Sequence, residues 1–161
     1  MPSSSTGTAI AINVLLLGLF AVQHTIMARP AFKAVWTRWV PWHVERTTFV
    51  LLTTAILAFM AWQWSPLPAS VWQIENPLMA ALLAGISLAG WGIVLASTFL
   101  IDHFELFGLK QPVSYALGRP LEHPAFKERL FYKWVRHPLM LGFLIAFWAT
   151  PTMSQGHLLF A

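Results

Sequence analysis

Residues 77–101 read PLMAALLAGISLAGWGIVLASTFLI, 25 consecutive residues without a charged side chain. At about 1.5 Å of rise per residue, a helix of this length exceeds the ~30 Å hydrocarbon core of a bilayer. The run therefore reads as a transmembrane helix. Its Gly85, Gly90, Gly92 and Ser97 permit close approach of a second helix.

Working outward, two further runs have the same character. Thr8–Ala28 holds 21 uncharged residues, and Thr47–Trp64 holds 18, finishing in the interfacial pair Trp62 and Trp64. A fourth apolar run, Leu139–Met153, is interrupted by Pro151. The last residues, SQGHLLFA, read as a turn and the start of another apolar segment. The N-terminus lacks the basic region and cleavage site of a signal peptide, so the first run is read as a retained span. The expected fold is all-α, a polytopic transmembrane helical bundle of four spans plus the start of a fifth. It would form one integral membrane domain over residues 1–161, incomplete at both ends.

Composition agrees with this reading. Hydrophobic residues make up 57% of the chain and charged residues only 10%, against about 25% charged in soluble domains. The absence of cysteine excludes disulfides, thiolate metal sites and a cysteine nucleophile. Charge placement says more than the net +4. Arg29, Lys33, Arg38 and Arg46 follow the first run, and the other six basic residues lie between the third and fourth runs. The loop after the second run and the tail after the fourth carry none. All basic residues thus fall on one side, which the positive-inside rule makes cytoplasmic. Because they are spread over two juxtamembrane loops, nucleic-acid binding is not expected. Within the first basic loop, Phe32, Val35, Trp36 and Trp39 recur at helical spacing, as in a short helix lying in the interface.

Two polar groups could carry chemistry. In Leu130–Gly142, LFYKWVRHPLMLG, Pro138 fits the first turn of a helix, where its missing N–H costs nothing. Arg136 and His137 would then stand at a helix N-terminus, which favours anions. Taken alone, the same residues also fit a snorkelling pair before an N1 proline. Thr98, Asp102 and Glu105 have i, i+4, i+7 spacing and share one helix face, with His103 beside them. They read equally as a polar cavity or as solvated boundary residues. No His-Glu-x-x-His and no His pair at i, i+4 occurs, so no zinc site is expected. His24 and His103 are the pair that could hold a haem across spans, although no local spacing supports it. The Gly-x-Ser-x-Gly of serine hydrolases is missing.

Longer matches are more specific. His24–Lys33, HTIMARPAFK, resembles the HS[VI]MARPxFK stretch of bacterial methanethiol S-methyltransferases. Glu45–Leu51, ERTTFVL, resembles their ERSTYVL, and Ser97–Gln111, STFLIDHFELFGLKQ, their STFLINHFDLFGLRQ. Tyr132–Gly142 is similar to LYxxVRHPLYLG, and Phe147–Met153 with Gly156–Ala161 to FWATPxMxxGHLLFA. Met140 stands where the family usually has Tyr. The wider group resembles the isoprenylcysteine carboxyl methyltransferases and NnrU-type membrane proteins.

The resemblance implies an integral membrane enzyme of the bacterial inner membrane, which moves a methyl group from S-adenosylmethionine to a small thiol and makes dimethyl sulfide from methanethiol. It implies that Arg136, His137, Pro138 and Met140 contribute to the cofactor pocket, its mouth facing the cytoplasm. A guanidinium matches a carboxylate bidentately, so Arg136 is expected to hold that of the cofactor. Asp102, His103 and Glu105 are expected to line the reaction chamber, where His103 or His137 could act as base for the thiol or the sulfonium charge could favour the thiolate directly. The alternative is an NnrU-type protein of haem or nitrogen-oxide metabolism without methyl transfer. Residue types leave the oligomeric state open.

Overall fold

The computed structural model describes residues 5–101, 103–120 and 135–161, and of Ile101 and His103 only the backbone. These residues fall into two compact units, 5–66 with 104–120, and 67–101 and 103 with 135–161.

In the first unit, α1 (Thr6–Ala28) starts at Ser5, whose Oγ accepts the Thr8 N–H at 3.2 Å. It stops at Arg29, held extended by the following proline, and Pro30 opens the short α2 (Pro30–Trp36). The helix expected from Phe32, Val35, Trp36 and Trp39 is this one, but it ends at Trp36, and Trp39 lies in the turns that follow. Pro41 then caps α3 (Trp42–Gln63). The helix starts five residues before the expected span, because nothing after Pro41 opposes helix formation. His43, Glu45 and Arg46 thus sit on a helical extension of the apolar segment.

α1 and α3 run antiparallel, joined by polar contacts. Fully buried Asn13 donates from Nδ2 to the Ser65 carbonyl and accepts the Ser65 N–H at Oδ1, both at 2.9 Å. One side chain satisfies both backbone groups of a residue beyond the end of α3, which apolar surroundings would otherwise leave unpaired at a cost of ~1–3 kcal/mol each. At the other end Gln23 Nε2 donates to Thr53 Oγ1 at 3.2 Å. Two short helices complete the unit, α5 (His103–Leu106), of which it holds Phe104 onward, and α6 (Lys110–Ala116).

The second unit is built on β1 (Ser70–Gln73) and α4 (Pro77–Ile101), the latter as expected. Asn76 Oδ1 accepts the N–H groups of Leu78 and Met79 at 3.0 and 3.1 Å, covering free donors of the α4 first turn. The fourth apolar run departs from expectation. α7 (Pro138–Trp148) has only 11 residues, about 16 Å, half of a hydrocarbon core. It ends because Thr150–Ser154 turns away to make β2 (Thr152–Ser154), which pairs antiparallel with β1. Trp72 Nε1 donates to the Thr150 carbonyl at 3.1 Å, and Met153 is fully buried. Gly156 N and Gln155 N extend the pairing to the carbonyls of Leu67 and Ala69, leading into α8 (Gln155–Phe160). Neither strand was expected. They join the two segments that lack basic residues, which fits their assignment to one side of the membrane.

α7 lies against α4 at glycine contacts. A Cβ on Gly90 would come within 2.6 Å of Ala146 N, and one on Gly142 within 2.9 Å of Val94 N. Ser87 Oγ donates to the Ala146 carbonyl at 2.8 Å. Trp91 meets Phe143 and Phe147 edge-on. Gly85 and Gly92, expected to serve the same purpose, face open space.

Among the described residues three helices, α1, α3 and α4, are long and apolar enough to cross a membrane. Their outward residues are apolar, Leu15, Leu78 and Leu88 being 73%, 77% and 70% exposed. This is an all-α membrane protein. Replacing Gly90 by Leu should cost ~1–3 kcal/mol by overpacking and lower the thermal unfolding midpoint in detergent. Gly85→Leu, on an open face, should leave that midpoint unchanged or raise it.

Candidate functional site

The Arg136-His137-Pro138 motif is built by the second unit. Arg136 and His137 are non-helical and exposed, and α7 begins at Pro138, as the proline spacing predicts. No side chain caps this end. Pro138 has no N–H, and the first intrahelical backbone bond runs from Leu141 N to the His137 carbonyl at 3.1 Å. The amides of Leu139 and Met140 are therefore left without an intrahelical acceptor, as at any helix start.

The glycine contacts fix what lies beside this mouth. Gly142 is level with Gly90 and Val94. One turn back along α7 and one turn on along α4, the antiparallel register brings Pro138 level with Ser97 and Thr98. Pro138 and Ser97 are both fully buried. Thr98 Oγ1 donates to the Leu95 carbonyl at 2.8 Å, whereas Ser97 Oγ is buried without a hydrogen-bond partner. The mouth thus offers an exposed guanidinium, helix-start amides and an unpaired hydroxyl. A polar, anionic ligand group fits that set. Met140 is 65% exposed, so this position faces away from the α4 contact.

Glu105 belongs to the first unit. Its Oε2 lies 3.5 Å from Lys110 Nζ, tying α5 to the start of α6. Asp102 and residues 130–134 of the motif lie outside the described residues, as does the side chain of His103. Of the face expected to be shared by Thr98, Asp102 and Glu105, the middle residue, Asp102, is thus outside the described residues. His24, considered above for haem, rests between Phe20 and Phe49 at ring distances of 5.5 and 5.2 Å.

The first unit also holds a polar group that the sequence reading did not single out. Gly108, at φ 71°, turns the chain between α5 and α6 and presses on α3. A Cβ there would stand 2.8 Å from Thr47 N, and Thr47 Oγ1 donates to the Gly108 carbonyl. Seven residues on, the Tyr115 ring stacks on His43 at 3.8 Å and 5°. Gln111 falls between these two contacts on α6 and is 9% exposed. The one sequence signal was Phe107-Gly108-Leu109, a glycine just beyond the short α5.

An all-α, integral membrane chain with a polar helix mouth is the class these features define. Comparison with known proteins makes the assignment specific. The chain is 51% identical to methanethiol S-methyltransferase 1 of Bradyrhizobium diazoefficiens over 158 residues, 98% of this chain and 55% of that protein. It is 51% identical to the methanethiol S-methyltransferase of Mycobacterium tuberculosis over 155 residues, 96% of this chain and 64% of that one. Nurim of Xenopus laevis is 31% identical over 163 residues, 94% of this chain and 56% of that protein. No family model matches the chain, and no solved structure matches it. The chain is a relative of the methanethiol S-methyltransferases and spans between half and two thirds of the length of these relatives.

Gly108→Ala should combine a left-handed backbone penalty with a clash against the α3 backbone, costing ~2 kcal/mol or more. Loss of the Tyr115–His43 contact should accompany it, read as increased proteolysis between α5 and α6.

Proposed function

We propose that the protein carrying this chain transfers a methyl group from S-adenosylmethionine to methanethiol, giving dimethyl sulfide. The reading rests on the roughly 50% identity with methanethiol S-methyltransferases, which extends over 98% of the chain for one and 96% for another. Residues 1–161 would then form part of one membrane methyltransferase domain, in a bacterial inner membrane, with the Arg136 end of α7 toward the cytoplasm. The concentration of basic residues in the two loops on that side supports the orientation.

In this reading Arg136, His137, Pro138 and Met140 hold the methyl donor. When bound, S-adenosylmethionine supplies a methyl carbon activated by its positive sulfonium. Arg136 binds the donor carboxylate, helped by the free amides at the start of α7. Pro138, buried beside α4, keeps that helix end in place. His137 orients the donor, and Met140 supplies an apolar, polarisable surface where tyrosine is usual among the relatives. Asp102, His103 and Glu105 line the chamber for the thiol, and a histidine takes the thiol proton, since the thiolate is the nucleophile. Holding thiol sulfur, methyl carbon and leaving sulfur in line is worth ~7–11 kcal/mol of barrier through orientation. The apolar exterior suits a small volatile thiol that enters from lipid.

Membranes containing the full-length protein should form dimethyl sulfide only when both methanethiol and S-adenosylmethionine are supplied. Arg136→Ala should weaken S-adenosylhomocysteine binding by about ten- to a hundredfold, the worth of a charge-assisted hydrogen bond. Undiminished affinity in that variant would remove Arg136 from the site, and absence of dimethyl sulfide would sink the assigned reaction.

A further inference from the structure

The packing of α6 on α3 buries three polar atoms that have no hydrogen-bond partner: His43 Nδ1, Arg46 Nε and Gln111 Oε1. Gly108 against Arg46–Thr47 and Tyr115 against His43 show that the two helices run antiparallel there. Gln111, between those contacts and nine-tenths buried, is thereby turned toward α3 at the level of His43 and Arg46. The large majority of buried side-chain polar atoms are paired, so three on one helix contact mark a place for a missing partner. Among the described residues Arg46 has no carboxylate within ion-pair distance, and the adjacent Glu45 pairs with Lys33 at 3.5 Å. A water molecule would serve one or two of these atoms but would leave the guanidinium charge unmatched.

The chemistry asked for is an anion for Arg46 and a hydrogen-bond donor for Gln111 Oε1. The depth decides the source. Arg46 immediately precedes the uncharged stretch Thr47–Trp64, and Trp39 and Trp42 nearby are 84% and 58% exposed, as in an aromatic belt at the membrane surface. Phospholipid headgroups lie at that level.

We propose that His43, Arg46 and Gln111 form a binding site for a phospholipid headgroup of the ethanolamine type. The phosphate accepts from Arg46 Nε and from the His43 ring, and the ammonium donates to Gln111 Oε1. A choline headgroup offers the same phosphate but no N–H, so the site discriminates against it. The α-amino-carboxylate part of S-adenosylmethionine has the same pairing of charges and is the competing source.

The test uses full-length protein, delipidated in detergent, titrated with phosphatidylethanolamine or phosphatidylcholine of identical chains and followed by native mass spectrometry. The unaltered protein should bind the ethanolamine lipid about tenfold more tightly, Gln111→Met should abolish that preference, and Gln111→Glu should keep it. Arg46→Gln should weaken both lipids by about tenfold or more. Equal binding of the two lipids by the unaltered protein, or a preference that survives in Gln111→Met, overturns the proposal. In lipid-free micelles, Arg46→Gln should leave S-adenosylhomocysteine and methylthioadenosine binding unchanged. Weaker binding of the first alone would give the site to the donor's amino acid moiety and overturn the lipid assignment.

Discussion

The contact between Gly90 on α4 and Gly142 on α7 governs the second unit. A helix of 11 residues cannot cross a bilayer, nor is an isolated helix of that length stable. α7 exists because it lies backbone to backbone on α4, and two glycines allow that approach. In lipid, where apolar side chains gain little by leaving their surroundings, such close contact is the main source of helix association. The register of this contact also determines what stands at the α7 N-terminus. With Gly142 opposite Val94, Pro138 must fall beside Ser97, and Arg136 is carried to the outer end of α4.

The opposite end of α7 is held by other means. After Trp148 the chain pairs with Ser70–Gln73, and the backbone groups of this non-helical stretch find partners in β1, Leu67 and Ala69. An open edge or unpaired turn is costly near lipid, so a sheet of two short strands is an economical closure. The first unit meets the same requirement with a side chain, Asn13 bonding both backbone groups of Ser65. These closures lie on segments without basic residues, while the polar helix ends lie at the other extremity of α3, α4 and α7. Unpaired buried polar atoms also occur at these polar ends, Ser97 Oγ in the second unit and His43 Nδ1, Arg46 Nε and Gln111 Oε1 in the first.

Much of this was legible in the sequence, and the limits have physical causes. Uncharged length alone gave α4 to the residue, and Pro138 gave the start of α7, because proline excludes other positions. The end of α7 was legible only in part: Pro151 interrupts the fourth apolar run, but its pairing with β1, which draws Thr152–Ser154 into a strand, leaves no local signal. Nor does periodicity reveal which of Gly85, Gly90 and Gly92 meets a partner, because that depends on the direction from which α7 arrives. The group at His43, Arg46 and Gln111 was invisible for a similar reason. The three residues span 68 positions of sequence and are aligned only by the left-handed turn at Gly108.

Two arginines, one in each unit, differ in their exposure. Arg136 is exposed at a helix start, free to meet a ligand that arrives from water and leaves again. Arg46 is packed with its Nε buried, which suits a partner that stays in place between α3 and α6. An enzyme must release its product on every turnover, which suits the first arrangement and not the second. A group that completes the fold by satisfying buried atoms suits the second. On this physical ground the two proposed roles divide, a donor site at the exposed arginine and a headgroup site at the buried one.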